Sequence, residues 1–292
     1  MHSYLRAIGF SNIKRGKELD HLLQEVFHGA SEKSMVKEDD SASFVEYLKD
    51  FGDDIGIALC GILDETGFHQ EYYFPYYRGS EISTKEEVIV EKHGGKESYL
   101  GVCEDIRIGV SLIFYLQNAA KYKREKILNN LLNGNSNTSF SGLSLKGKIL
   151  LPINKNEGQR NTGKETSKNR NHLLAEAKKG NEEAIESLTL EDIDLYAEIS
   201  RRIQKEDVFT IVESFFMPYG MECDQYHIMG EIKRVSRIFN SLTNEAIYQM
   251  SMECNDMMID VCINETDLQG EPTIGRRFKG VIWLQGQINF TN

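Results

Sequence analysis

Apolar and polar positions change period several times along the first 150 residues. Leu19, Leu22, Leu23, Val26 and Phe27 fall at i, i+3, i+4, i+7 and i+8, which lays one apolar stripe along a helix over 17–28. Residues 4–10, before it, read as a strand. Two apolar runs at 55–63 and 68–77, parted by Asp64-Glu-Thr-Gly67, predict a hairpin, and 87–92, 99–103 and 109–116 predict further strands of a sheet expected to be antiparallel. Helical spacing returns over 119–132, where Asn133-Gly134 offers a left-handed cap, and 143–153 is again strand-like.

Beyond this the pattern shifts twice. Residues 154–171 carry no large apolar side chain, which predicts a solvated loop or linker. Residues 172–205 are helical in three pieces: one stops at Gly180, one follows Asn181, and one starts at the capping-box-like Thr189-Leu-Glu-Asp192. The last piece is expected to turn Leu190, Ile193, Tyr196, Ala197, Ile199 and Ile203 inward. From 208 onward everything reads as β, with strands at 208–217, 225–239, 246–253, 257–263 and 278–290 and a turn region at 268–275. A long strand bending through Gly230 and a return punctuated by Gly280 and Gly286 suit a small closed barrel of the OB or SH3 kind. The expected fold class is therefore α+β: a domain at 1–153 with a mixed or antiparallel sheet and helices, a polar linker at 154–171, a short helical segment at 172–206 and a barrel-like domain at 207–292.

Composition supports a globular chain and narrows its partners. Of 292 residues, 40% are apolar and 27% charged, and there are only four prolines, so long regular elements are possible. The longest apolar run, about 108–116, is too short to cross a bilayer. With 34 bases against 45 acids the formal charge is -11, which repels a phosphate backbone and anionic lipid, so neither nucleic acid nor membrane is an expected partner. Five cysteines, at 60, 103, 223, 254 and 262, in a chain with no secretory pattern at its start, argue against a disulfide framework and for the cytoplasm.

Candidate chemistry is sparse. The most ligand-like set, Cys223 and His227 with Cys254 and Cys262, has no Cys-x-x-Cys, and His21, Glu25 and His28 on one helix face lack a further ligand, so no metal and no cofactor is expected. Gly142-x4-Gly147-Lys148 and Gly158-x4-Gly163-Lys164 come near a phosphate-binding loop but lack the hydroxyl that follows its lysine. In Tyr72-Tyr-Phe-Pro-Tyr-Tyr-Arg78, period two sends Tyr72, Phe74 and Tyr76 to one face, and Pro75 confines the run to an edge strand. Tyr72 and Tyr76 are then either covered by another element, the favoured outcome, or a contact surface. Arg276, Arg277 and Lys279 stand just before Trp283, the single tryptophan. Bases beside an aromatic suit single-stranded nucleic acid, but the flanking Phe278, Val281, Ile282 and Leu284 favour a core indole. Tyr72, Tyr76, Arg276, Arg277 and Lys279 are the candidate binding surface, and no catalytic set is identified.

Several longer runs are distinctive as text: Tyr4-Leu-Arg-Ala-Ile-Gly-Phe10, Asn181-Glu-Glu-Ala-Ile-Glu-Ser-Leu-Thr-Leu-Glu-Asp192, Phe216-Met-Pro-Tyr-Gly220, Glu222-Cys-Asp-Gln-Tyr226 and Gly275-Arg-Arg-Phe-Lys-Gly-Val-Ile-Trp-Leu-Gln-Gly286. Across the whole chain they resemble a bacterial family of uncharacterised proteins from low-GC Gram-positive anaerobes. The resemblance implies a bacterial, intracellular protein and carries no site over. The leading expectation is a cytoplasmic, non-enzymatic binding or scaffold protein that engages a protein partner. The alternatives are an enzyme with residues dispersed through the N-terminal sheet and an OB-like single-strand binder.

Overall fold

The computed structural model describes residues 2–13, 15–37, 41–94, 98–128, 136–153, 157–221 and 223–290. The expected cap at Asn133-Gly134 and the first three residues of the expected linker lie outside these.

Two sheets carry the fold. The first, of four strands in chain order, joins β1 (Glu32–Lys37), β2 (Ser43–Gly52), β3 (Ile55–Asp64) and β4 (Gly67–Tyr77), all antiparallel. Helix α1 (Lys17–His28) covers one face with Leu22, Leu23 and Val26, at the span its apolar stripe predicts. The hairpin of β3 and β4 is also as expected, whereas β1 and β2 were not foreseen. Lys49, Asp50, Asp53 and Asp54 interrupt the apolar alternation there, and Asp54 turns the chain at φ 58°. As Pro75 requires, β4 is an edge strand.

The second sheet has ten strands: β5 (Val88–His93), β6 (Ser98–Glu104), β7 (Ser111–Leu116), β8 (Ser136–Leu150), β9 (Phe215–Pro218), β10 (Gln225–Phe239), β11 (Ala246–Cys254), β12 (Met257–Asn264), β13 (Leu268–Gln269) and β14 (Arg277–Phe290). Its pairing β8-β12-β11-β10-β14 returns to β8, so five strands form a ring, with β8 and β12 parallel and the other neighbours antiparallel. One ring strand, β8, comes from before residue 154 and four come from after 207. Strand β14 is the hub, paired to β8 along its whole length, to β10 on its first half and to β7 at Gln285 and Gly286. The turn from β11 to β12 is the two-residue Asn255-Asp256, both left-handed at φ 50° and 58°, as a tight hairpin demands. Phe114 on β7 fills a slot that Gly101 and Gly286 leave open, since a Cβ at either glycine would collide with its ring.

Helix α2 (Ala119–Ile127) follows β7, and α3 (Glu157–Lys178), α4 (Glu182–Ile203) and α5 (Val208–Ile211) lead from β8 to β9. Four expectations are corrected. Residues 4–10 form a 3-10 helix (Ser3–Ile8) ended by Gly9 at φ 89°; Tyr4, Leu5, Ala7 and Ile8 are all buried, and so short an apolar run cannot be assigned by period. The expected loop is helical from residue 157, although its glycines, asparagines and threonines are poor helix formers and only its lysine, glutamate, arginine and glutamine residues favour the helix. The boundary at Thr189 does not exist: α4 runs unbroken from its cap, Asn181, whose side chain accepts from Ala184 N–H, and the Thr189 hydroxyl bonds back to the Ile185 carbonyl. The strand expected at 208–217 is α5 followed by β9. The chain is thus α+β and dominated by sheet, with a five-strand ring in its second sheet.

Candidate functional site

The first sheet puts three reactive side chains in one row. Glu46 on β2 pairs in register with Cys60 on β3, and Cys60 with Tyr72 on β4, so all three project from the same face. Tyr72 hydrogen-bonds to Cys60 and to Tyr115 on β7. Helix α2 closes the row at its other end: the first-turn N–H of Ala120 donates to Glu46 Oε2 at 3.2 Å. Glu46 is 3% exposed, and its Oε1 has no hydrogen-bond partner among the described residues. Lys123, one turn along α2, is the cation that acts on this carboxyl, and its Nζ stands 5.0 Å from the Phe44 ring centroid.

Burial sets the proton state of the row. It pushes Glu46 up to about 8 against the pull of the Ala120 and Ala119 amides and of Lys123. It likewise pushes the Cys60 thiol and the Tyr72 and Tyr115 phenols up. At neutral pH each of the four holds its proton. The row can donate hydrogen bonds, but it offers neither a thiolate nor a carboxylate base.

Tyr115 continues the row into an aromatic cluster. Its ring lies 5.1 Å from Trp283, against which Tyr4 stacks at 5.3 Å and His2 at 4.6 Å. The indole Nε1 donates to Asp224 Oδ2 at 2.6 Å, and Trp283 is only 5% exposed, the core position its apolar neighbours predict. Burial lowers His2 to about 4, so its ring is neutral at pH 7, with Nδ1 buried and without a partner among the described residues.

The candidates from sequence fall elsewhere or are engaged. Tyr72 is half-buried in the row just described. Tyr76 is fully buried, with its hydroxyl donating to Asp50 and the Arg78 guanidinium 4.6 Å above its ring. Arg277 is buried and spends its guanidinium on the carbonyls of Leu151, Val212 and Phe209, while burial lowers its pKa. Arg276 donates to the Glu271 carbonyl, and Lys279 lies 4.3 Å over the Phe209 ring. The three bases therefore do not converge on one point. Both near-matches to a phosphate loop lie inside regular elements, β8 and α3.

Helix α4 corrects a further expectation. It packs against α3 and α5, yet Leu190 and Ile193 are each 59% exposed and Tyr196 75%, with Ile185 and Ile203 also exposed. Of the stripe expected to face inward, Ile199 is half-buried and Leu190, Ile193, Tyr196, Ala197 and Ile203 face solvent. A connector helix as polar as α3 offers little apolar surface to cover it. Glu46 and His2 were missed in the sequence; the one available signal was a lone acid inside the apolar run Phe44-Val-Glu-Tyr-Leu48.

Among the described residues no helix is long and apolar enough to cross a membrane. No curated protein and no solved structure matches the chain. A family model does: it is described as a domain of unknown function from an E. rectale gene description, DUF3881, and covers residues 5–286. With nearly its whole length matched, the chain belongs to the DUF3881 family of domains of unknown function.

Proposed function

We propose that this chain is a cytoplasmic, non-enzymatic binding or scaffold protein that engages a protein partner through α4. In this reading the β segments of 1–153 and 207–292 make one body, with the ring as a small barrel at its centre. The connector at 154–171 joins that body to the helical segment 172–206, which carries the contact. The observation behind it is the stripe Ile185, Leu190, Ile193, Tyr196 and Ile203, which with Leu195 makes six large apolar side chains left in solvent on one helix. Acids cluster at the start of α4 (Glu182, Glu183, Glu186) and bases at its end (Arg201, Arg202, then Lys205), so the occupant is an apolar-faced helix charged in the opposite order. A photo-crosslinking residue at position 196, with a control at the exposed Lys85, tests this in the cytoplasm: a protein adduct at 196 alone supports the reading, and equal labelling at both positions overturns it.

The row Glu46, Cys60, Tyr72 and Tyr115 supports a second reading, an enzyme with dispersed residues in the N-terminal sheet, because the partnerless Glu46 Oε1 is the kind of buried polar atom a substrate would satisfy. That reading expects Glu46→Gln to abolish an activity without unfolding the protein.

A further inference from the structure

Resting on the proposed docking role of α4, we infer that its occupant is the α4 of a second copy, laid antiparallel across a two-fold axis near residue 194. A two-fold contact must be self-complementary, because each residue i that meets j requires j to meet i. Four members of the exposed stripe of α4 meet that condition: Ile185 and Ile203 are outer and Ile193 and Tyr196 inner, so reversing the helix about residue 194 carries outer onto outer and inner onto inner, while Leu190 falls opposite position 198. The charges meet it too, with opposite signs: the same reversal sets Glu183 against Lys205 and Glu186 beside Arg201, Arg202 being paired with Glu206 of its own chain. Two of the acids close to the axis, Glu191 and Asp192, are held by Arg170 of α3 at 3.4 and 2.6 Å. Antiparallel alignment also sets the helix dipoles head to tail. A parallel pair would oppose acid to acid and base to base.

The test is the mass of the full-length chain in solution, by sedimentation or light scattering. The wild type should be a dimer. Ile193→Asp with Tyr196→Asp should give a monomer of unchanged circular dichroism, since both side chains are exposed in the fold. Two charge variants separate this arrangement from any other contact: Glu183→Lys with Glu186→Lys, and Arg201→Glu with Lys205→Glu. Each alone should dimerise at least about tenfold more weakly, and an equimolar mixture of the two should recover a heterodimer, because the reversed ends then attract. A dimer indifferent to all these variants overturns the inference, and so does a mixture that fails to recover. A wild type that stays monomeric at about 100 µM while position 196 crosslinks to a different protein overturns the inference and leaves the proposed function standing. A monomer with no adduct at 196 overturns both.

Discussion

Gln285 on β14 holds Tyr77 on the edge strand β4: its Oε1 accepts the Tyr77 N–H at 3.3 Å while its Nε2 donates to the Pro75 carbonyl at 2.8 Å. The Gln117 amide donates to the Tyr77 carbonyl and to Gln285 Oε1, both at 2.8 Å, and the Ser141 hydroxyl donates to the same Tyr77 carbonyl. An edge strand would otherwise bury unpaired amides and carbonyls against the second sheet, and one side-chain amide supplies what a neighbouring strand would.

Gln285→Leu keeps the bulk and removes both ends of that bridge, leaving the Tyr77 N–H and the Pro75 carbonyl buried without a partner. The expected cost is about 2 to 4 kcal/mol, read from urea unfolding. A loss below about 0.5 kcal/mol would mean that the edge is satisfied in another way.

The contribution of Glu46 to stability should fall as pH rises through the neutral range, while that of His2, held near 4 by burial, rises up to about 6.5. Below about 4.5 the Glu46 carboxyl is protonated in both folded and unfolded chains; between there and about 8 the unfolded chain has released the proton and the folded one keeps it, so folding is progressively penalised. The Glu46 contribution is complete at the acid end of this window and lost at its alkaline end, on the order of 4 kcal/mol across it. Glu46→Gln removes this titration and leaves that of His2, so the unfolding free energy of the wild type should fall relative to that of the variant between pH 5 and about 8. Parallel curves for the two proteins would contradict a protonated Glu46.

Where one periodic signal sufficed, the sequence was legible: α1, the hairpin of β3 and β4, the edge position forced by Pro75, β10 and the burial of Trp283 all follow from local pattern. What stayed hidden depends on distant pairing. Nothing near β8 indicates that it joins β12 in parallel or closes the ring against β14, and nothing near Glu46 indicates that Ala120 will meet it 74 residues later. Helix α4 misled in the opposite way. Its apolar spacing is real, but spacing says only that a stripe will be covered and not that this chain covers it.

Trp283 should emit at short wavelength and resist iodide, since its indole is enclosed by His2, Tyr4 and Tyr115. Trp283→Ala should cost about 3 to 5 kcal/mol. Trp283→Phe keeps most of the packing but loses the bond to Asp224, for about 1 to 3 kcal/mol. A red-shifted, freely quenched emission would expose the indole and restore the single-strand reading.

Tryptic cleavage tests the ring. Residues 154–171 offer Lys155, Arg160, Lys164 and Lys168 in a connector that is helical from residue 157 but has no large apolar side chain to hold it to the strands, so the first cuts should fall there. The two pieces should separate on a denaturing gel and still elute together from a native column. The reason is β8, which stays with the N-terminal piece while its ladder to β14 runs from Leu150 opposite Arg277 to Ser136 opposite Phe290, and its other edge pairs with β12. Pulling the pieces apart would expose both edges of a strand whose centre, from Thr138 to Ser144, is buried. Pieces that part on a native column without denaturant would mean that the strands on either side of the connector fold as independent units and that the ring does not close through β8.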